Sequence, residues 1–206
     1  QMLSDNKLQK SADTYERLSG VIYGETKRLR YQVEKVLQMS LYEGGNIALK
    51  MQPLDASELI DSVVQTFNIK VVQNGGTIET NLDAVNSTIK ADEMHFTNII
   101  YNLMDNAVKY KRDDVGLQLI VSTRSDSTHL YIQVEDNGIG IHRDDLKRIF
   151  DKFYRVPTGN THNVKGFGLG LAYVRKMVEL HHGTIKATSE LGKGTRFMIT
   201  LPLYKE

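Results

Sequence analysis

The stretch 136–140 reads Asp-Asn-Gly-Ile-Gly and directly follows an alternating apolar pattern over 130–136, which predicts a strand. A carboxylate at the end of a strand can accept a hydrogen bond from an exocyclic amine, and two glycines permit a tight turn with close ligand approach. An ordinary Asp-Asn-Gly turn has the same residues. On its own the stretch leaves a ligand site and a simple turn both open.

The residues that precede this strand predict a helix over 92–110 with two different faces. One face carries Asn98, Asn102, Asn106 and Lys109. Asparagine is a poorer helix former than the residues of most solvated faces, its amide oxygen suits Mg²⁺, and lysine supplies a cation for phosphate. A site and a solvated face are equally compatible with this pattern. The opposite face is apolar and is expected to pack on a sheet: Phe96, Ile99, Ile100, Leu103, Met104 and Ala107.

Residues 166–171 read Gly-Phe-Gly-Leu-Gly-Leu and open a predicted helix over 168–181. Free backbone N–H groups and the positive end of the helix dipole favour phosphate there, while a flexible hinge is the alternative reading. Leu171 stands where the dinucleotide-binding fingerprint needs a third spaced glycine or alanine, and no Gly-x-x-x-x-Gly-Lys-Ser/Thr loop occurs in the chain. The sequence therefore excludes the P-loop class and argues against a Rossmann site.

The remaining patterns predict helices alternating with short strands, hence an α+β fold in two layers with a largely antiparallel sheet. Asp55 is expected to cap a helix over 56–73, which Asn74-Gly75-Gly76 ends. A turn joins the second and third predicted strands, and the fourth and fifth form a hairpin. The predicted strands are 47–51, 77–82, 87–90, 117–122, 130–136, 184–188 and 195–201.

The first 43 residues contain no proline and predict one long helix. An apolar residue recurs every seventh position, as in a coiled coil or a helical bundle. A lone helix cannot bury such a stripe, so we expect a partner helix that this chain does not contain. The stripe consists of Leu8, Tyr15, Ile22, Leu29 and Val36.

Composition narrows the class of protein. The 206 residues carry a formal net charge of +1, which gives no basic excess for nucleic acid. Hydrophobic residues make up 40% and charged residues 25%, as in a globular chain that works in water. With no cysteine, disulfides and thiolate chemistry are excluded, and no apolar run approaches the length of a membrane span.

The combination of these motifs is far more specific than its parts. The asparagine helix, Asp136-x-Gly-x-Gly, Phe150-Asp-Lys-Phe-Tyr-Arg155 and Gly166-x-Gly-Leu-Gly170 occur in this order and resemble the N, G1, F and G2 boxes of sensor histidine kinases. The resemblance covers about residues 46–206 and implies the two-layer Bergerat, or GHKL ATPase, fold of their catalytic ATP-binding domain. Residues 1–45 resemble the second helix of the family's dimerisation and phosphoacceptor hairpin.

The resemblance implies roles for individual residues. Asn106 would hold Mg²⁺, Asn102 would lie against the phosphates, and Asp136 would accept a hydrogen bond from the adenine amino group of ATP. Gly138 and Gly140 would make room for the ring, with Thr195 close by through water. The other implied nucleotide-binding residues are Lys109, Tyr110, Ile141, Tyr154, Arg155, Gly166, Phe167, Gly168, Leu169, Gly170 and Leu171.

The same resemblance implies a mobile lid at about 141–165. Tyr154 and Arg155 would anchor one side, with Arg155 reaching phosphate, and the glycines of 166–170 would form the other hinge. Hydrolysing relatives such as gyrase and the Hsp90 chaperones carry a glutamate four residues before the magnesium-binding asparagine. Here that position is Asn102, which cannot act as a base, so a kinase is favoured over an ATPase. An ATPase, an anti-sigma-type serine kinase and a degenerate nucleotide-binding scaffold are the alternatives.

The expected phosphoacceptor histidine is not found. None of the six histidines is followed by an acidic residue, and none lies in 1–45, so we expect a catalytic fragment that cannot autophosphorylate alone. His181 and His182 are expected at a helix C-terminus that favours positive charge, and His95 and His129 at the surface or a strand end. The implied partners are the missing acceptor helix, a second copy in the full protein and a response regulator. The implied location is cytoplasmic, with any membrane attachment through upstream segments.

Overall fold

The computed structural model describes residues 48–156 and 168–205. Within them a five-stranded sheet and three helices form two layers, and a two-stranded sheet lies beside them. The helices are α1 (Ala56–Gln73), α2 (Glu93–Lys109) and α3 (Gly170–Leu180). The strands are β1 (Gln52–Asp55), β2 (Thr77–Leu82), β3 (Thr88–Ala91), β4 (Gln118–Ser125), β5 (His129–Asp136), β6 (Thr184–Glu190) and β7 (Gly194–Pro202).

The main sheet has the order β2-β4-β5-β7-β6, in which β2 and β4 are parallel and all other pairs are antiparallel. Alternate residues of the central strands are buried, which defines the face covered by helices. The predicted two-layer α+β class is confirmed. Residues buried on that face include Leu119, Val121, Leu130, Ile132, Val134, Phe197, Ile199 and Leu201.

Two aspartates cap the first two helices, and the sequence predicts this role for Asp55. The carboxylate of Asp55 accepts hydrogen bonds from the N–H groups of Ser57 and Glu58, and that of Asp92 accepts one from His95. Each bond satisfies a backbone donor that has no partner inside its helix. The apolar face predicted for the asparagine helix is buried from Phe96 to Val108. The position of α2 in the fold thus follows from its cap and its apolar stripe.

Strand pairing differs from the expectation at the N-terminal side of the described residues. Of the strand expected at 47–51, the described residues 48–51 are not in a strand, and the first strand of the described part is β1 at Gln52–Asp55. The strands on either side of Asp83 do not pair with each other either: β2 joins β4 in the main sheet, while β3 pairs with β1. Propensity locates strands, but their pairing depends on contacts that are distant in sequence. The helix expected over residues 1–43 lies outside the described residues.

Two histidines are buried. His95 is 8% exposed, and its Nδ1 lies 2.9 Å from the Tyr173 hydroxyl, so it is not a surface residue. His181 lies at the C-terminus of α3, as the sequence predicts, but it is 2% exposed. Its Nδ1–H donates to the Met177 carbonyl at 2.7 Å, and its Nε2 accepts the Asp92 N–H at 3.0 Å. These two partners require the neutral ring, and burial lowers the pKa of His181 below 6.5.

A glycine is required where β2 begins. Gly76 allows β2 to begin against β4, since a Cβ there would lie 2.8 Å from Leu117.

Among residues 48–156 and 168–205, no helix combines the length and the apolar character that crossing a bilayer requires.

We expect His181 to make the fold acid-sensitive. Because the folded-state pKa lies below the ordinary value of 6.5, the unfolded chain takes up the proton first as the pH falls. The stabilisation is complete above about pH 6.5 and is lost below it, with a slope of at most about 1.4 kcal/mol per pH unit. Urea unfolding between pH 5 and 8 should show a change of stability below about pH 6.5 that is less favourable in the wild type than in His181→Gln.

His142→Gln is the matched control, because the His142 side chain is 60% exposed. Its pH profile should follow that of the wild type. A His181→Gln profile parallel to the wild type over the whole range would contradict the assignment of the acid-sensitive step to His181.

Candidate functional site

A cavity of about 660 Å³, including its open mouth, lies where α2, the end of β5, β7 and the start of α3 meet. It collects residues that are far apart in sequence into one pocket with an apolar wall and a small number of polar groups. Such a combination is typical of small-molecule and cofactor sites. Its lining consists of Asn106, Tyr110, Asp136, Ile139, Gly140, Ile141, Ile149, Tyr154, Arg155, Val156, Leu171, Thr195 and Phe197.

Asp136 supplies the carboxylate of this cavity. It is the last residue of β5 and pairs with Thr195 of β7. Its side chain accepts hydrogen bonds from the backbone N–H groups of Gly138, at 2.8 Å, and Thr195. Burial outweighs these bonds and raises the pKa of Asp136 to about 6, with a smaller contribution from Glu135. A carboxylate held in this way is a strong acceptor for a ligand donor.

The loop after Asp136 is fixed on both sides by backbone bonds. The Ile139 N–H donates to the Tyr110 carbonyl at 2.9 Å, and the Ile139 carbonyl accepts the Gly192 N–H at 2.7 Å. The Asn137 side chain adds bonds to the N–H of Gln118 and the carbonyl of Gly116. The loop that carries the predicted glycine motif is therefore a rigid wall of the cavity.

The glycines of this loop are needed for packing against protein backbone. A Cβ on Gly138 would lie 2.4 Å from the Tyr110 carbonyl oxygen, and one on Gly140 would lie 2.1 Å from that of Glu190. Gly140 also has a φ of +70°. Neighbouring backbone lies where either side chain would be, so both positions require glycine for packing; that they also make room for a ring stays a prediction. Contact of either glycine with a nucleotide stays a prediction.

The asparagine face of α2 divides into two parts. Asn106 lines the cavity. Asn102 lies beside α3: its amide donates to the Asn98 carbonyl at 2.6 Å, and its Oδ1 is 3.3 Å from the position of a Cβ on Gly170. The Lys109 Nζ lies 2.5 Å from the Asp105 Oδ2, and Lys109 does not line the cavity.

Asp105 holds two lysines on the outer side of this helix. Its carboxylate contacts Lys109 of α2 and Lys70 of α1, each at 2.5 Å. Burial acts to raise the pKa of Asp105, but the two cations outweigh it and keep the pKa below its ordinary value. Lys109 must leave this carboxylate before it can approach a ligand in the cavity.

The first part of the predicted lid is packed. It contains a short 3-10 helix at Asp145–Lys147, and Ile149 behind it is buried. The rings of Phe150 and Phe197 meet edge to face, with centroids 6.4 Å apart. The Tyr154 hydroxyl donates to Asp145 at 2.5 Å, which raises the pKa of Tyr154. This half of the lid is an anchored wall, and the mobility of the lid as a whole stays a prediction.

The two expected ends of the lid meet in the structure. The Phe153 N–H donates to the Gly168 carbonyl at 3.0 Å, and Leu171 lines the cavity from the first turn of α3. Gly138, Gly168, Leu169 and Gly170 do not line it. Gly166, Phe167 and the lid residues 157–165 lie outside the described residues, so their predicted roles stay predictions.

Sequence reasoning missed the apolar half of the cavity. Ile139, Ile149, Val156 and Phe197 line it without belonging to the predicted set. Only Phe197 had a usable signal, since it lies on the inward side of a predicted alternating strand. In residues 48–156 and 168–205 no group of three histidine, aspartate or glutamate side chains is placed to hold a metal ion.

Comparison with known proteins identifies the family. Residues 91–205, more than half of the chain, match the family described as "Histidine kinase-, DNA gyrase B-, and HSP90-like ATPase". The chain belongs to this family. Within it, the chain contains the catalytic ATPase domain of a sensor histidine kinase, which its relatives specify as follows.

The chain is 57% identical over 205 residues to the sensor protein RprX of Bacteroides fragilis, covering 100% of this chain and 40% of RprX. It is 32% identical over 194 residues to the sensor histidine kinase WalK of Bacillus subtilis, covering 94% of this chain and 31% of WalK. The solved structure of full-length ShkA in complex with AMPPNP matches with a TM-score of 0.74 at 26% identity, over 87% of this chain and 36% of ShkA. The chain thus spans less than half the length of each of these proteins.

We expect Asp136→Asn to stabilise the fold at neutral pH. The folded-state pKa of about 6 lies above the ordinary 3.8, so the folded protein is stabilised by protonation and destabilised by the buried charge above about pH 6. Removing the charge should raise the free energy of unfolding by about 1–3 kcal/mol at pH 7, and the gain should vanish below about pH 4. Urea titrations at both pH values measure it.

Asp144→Asn serves as the control for this experiment, because Asp144 is 89% exposed. It should change stability by no more than about 0.5 kcal/mol. An Asp136→Asn protein less stable than the wild type at pH 7 would show that hydrogen bonding by the carboxylate outweighs the cost of burying it.

The backbone packing of the glycine loop gives a second prediction. Gly140 and Gly192 have φ values of +70° and +80°, but a Cβ on Gly192 meets nothing within 4 Å. Gly192→Ala should therefore cost only the backbone term of about 1–2 kcal/mol. Gly140→Ala must also displace the Glu190 carbonyl, and thermal unfolding should show a clearly larger loss. Equal losses would mean that the loop and the β6–β7 turn separate without cost.

Proposed function

We propose that the described part of the chain binds Mg-ATP through its adenine at Asp136 and serves as the catalytic domain of a protein-histidine kinase. The observation that carries this proposal is the buried carboxylate with its raised pKa at the bottom of an otherwise mostly apolar cavity, on a fold of the sensor histidine kinase family. A flat apolar base with one amino group matches an apolar wall with one strong acceptor.

The phosphates are proposed to lie towards Asn102, Arg155 and the N-terminus of α3. Leu169 is the N-cap of this helix and Gly170 is its first residue. Their backbone N–H groups therefore lie at the positive end of the helix dipole. Tyr110, Ile141, Tyr154 and Leu171 border the path from the base to this end. Lys109 would join the phosphates after exchanging its bond to Asp105.

Mg²⁺ fits this site as a nucleotide-borne ion. Asn106, which carries an amide oxygen, lines the cavity, and no acidic cluster among the described residues offers a cage of protein ligands. Mg²⁺ characteristically takes few protein ligands and completes its shell with phosphate oxygens and water. When bound it would neutralise the charge of the phosphates, and Asn106 would hold it in position.

Asn102 supports transfer of the γ-phosphoryl group to a protein side chain over hydrolysis. Its amide nitrogen donates within the helix, and an amide cannot take a proton from water at neutral pH. Phosphoryl transfer depends mainly on positioning and charge neutralisation, which asparagine and arginine side chains can supply. Steady ATP hydrolysis without an acceptor protein would instead favour a Bergerat-fold ATPase.

For the whole protein we propose the division of labour of a two-component sensor. Residues 1–45 would contribute the second helix of the dimerisation hairpin, and residues 46–206 the ATP-binding domain. No histidine in the chain is followed by an acidic residue, so the acceptor would come from a segment outside this sequence. From there the phosphoryl group would pass to a response-regulator aspartate, in the cytoplasm. Acid-labile phosphate on this chain after incubation with ATP would contradict this division.

Calorimetric titration of Mg-ADP and Mg-GDP tests the proposal directly. We expect the wild type to bind ADP in preference to GDP, since Asp136 can only accept hydrogen bonds when it is charged. Asp136→Asn should weaken ADP binding by roughly ten- to a hundredfold, the value of one hydrogen bond to a charged group.

Asp144→Asn is again the control and should bind ADP like the wild type, since Asp144 does not line the cavity. A folded wild type that binds neither nucleotide would contradict the proposal and favour the degenerate scaffold.

A further inference from the structure

Ser189 lies on β6, outside the cavity lining, but its hydroxyl contacts three residues at or beside the cavity wall. Its oxygen lies 2.8 Å from the Ile141 nitrogen, 2.6 Å from the Gly194 carbonyl oxygen and 2.9 Å from the Thr195 hydroxyl oxygen. Ile141 and Thr195 both line the cavity, on opposite sides of Ser189. One serine hydroxyl therefore contacts two lining residues at once.

The directions of these three bonds follow from the chemistry of the partners. A hydroxyl has one proton and two lone pairs. The Gly194 carbonyl can only accept, so the Ser189 proton points to it, and the Ile141 N–H can only donate, so it occupies one lone pair. The remaining lone pair faces Thr195, and the Thr195 hydroxyl must donate its proton to Ser189.

This assignment fixes what Thr195 can offer to the cavity. With its proton directed at Ser189, the Thr195 oxygen presents lone pairs to a ligand. Thr195 is 7% exposed and pairs with Asp136, whose charged carboxylate also presents only lone pairs. The polar part of the wall at this point is made of acceptors, so a ligand group opposite it must be a donor.

We propose that Ser189 is a specificity-determining positioning residue that holds the Thr195 hydroxyl as an acceptor and so makes this wall select an amino group over a carbonyl on the bound base. The inference rests on the proposed binding of adenine nucleotide. Ser189 acts through Thr195 and does not contact the ligand. Without Ser189, the Thr195 hydroxyl can rotate and donate to a carbonyl, so the wall discriminates less between the two groups, while Asp136 still favours the amino group.

ADP and IDP are suitable probes, because hypoxanthine carries a carbonyl at the position of the adenine amino group. The measured quantity is the ratio of the two dissociation constants, obtained by calorimetry. Ser189→Ala should reduce the preference for ADP over IDP by about fivefold, the value of one neutral hydrogen bond. Most of this change should come from tighter IDP binding, with ADP affinity altered by less than about threefold.

A double-mutant cycle distinguishes this role from a loss of structure. In a Thr195→Val background the hydroxyl that Ser189 orients is gone, so Ser189→Ala should change the ADP-to-IDP ratio by less than about twofold. A structural defect would act equally in both backgrounds. Ser189→Cys keeps the side-chain volume and bonds only weakly, so it should reduce the preference in the same direction if the alanine variant does not fold.

The outcomes separate this inference from the proposed function. A wild type that binds neither ADP nor IDP contradicts the proposed function. A wild type that prefers ADP, with Ser189→Ala and Ser189→Cys keeping the same ratio, overturns the role of Ser189 alone. Equal effects of Ser189→Ala in the wild-type and Thr195→Val backgrounds overturn it as well.

Discussion

The register of β5 against β7 is the constraint on which the site depends. It places Asp136 opposite Thr195 at the end of the sheet, so that a carboxylate and a hydroxyl meet at the bottom of one cavity. The turn between β6 and β7 then contacts the loop after Asp136, and the end of α2 contacts it from the other side. A slip of β5 by one residue against β7 would place the Asp136 and Thr195 side chains on opposite faces of the sheet. The core that fixes the register therefore also fixes the chemistry of the site.

This arrangement costs stability where it provides binding. A carboxylate whose pKa is raised to about 6 by burial is a charge that the folded protein holds unfavourably at neutral pH. A ligand that donates a hydrogen bond to it recovers part of this cost, which makes recognition of an amino group selective. His181 is also a buried titratable residue, but it is buried without a charge. Its neutral ring is satisfied at both nitrogens and joins α3 to the start of α2 inside the fold.

Sequence reasoning succeeded where the signal is local. The capping aspartate Asp55, the apolar stripe of α2 and the order of the glycine motifs were sufficient for the fold class and for much of the polar part of the cavity. It failed where the partner is distant in the chain. The pairing of β3 with β1, the burial of His95 and His181 and the bond between Ser189 and Thr195 all depend on tertiary contacts. The glycine pattern alone does not distinguish close approach of a ligand from close approach of protein backbone, and the structure shows the second at Gly138 and Gly140.

The titration of the Asp136 carboxyl carbon by NMR, with and without saturating ADP, tests the central claim most directly. Without nucleotide we expect a pKa of about 6 for Asp136. A donor from the base favours the charged carboxylate, so ADP should lower this pKa, and the affinity for ADP should fall correspondingly below about pH 6. An Asp136 pKa that ADP leaves unchanged or raises would contradict the claim that this carboxylate recognises the base.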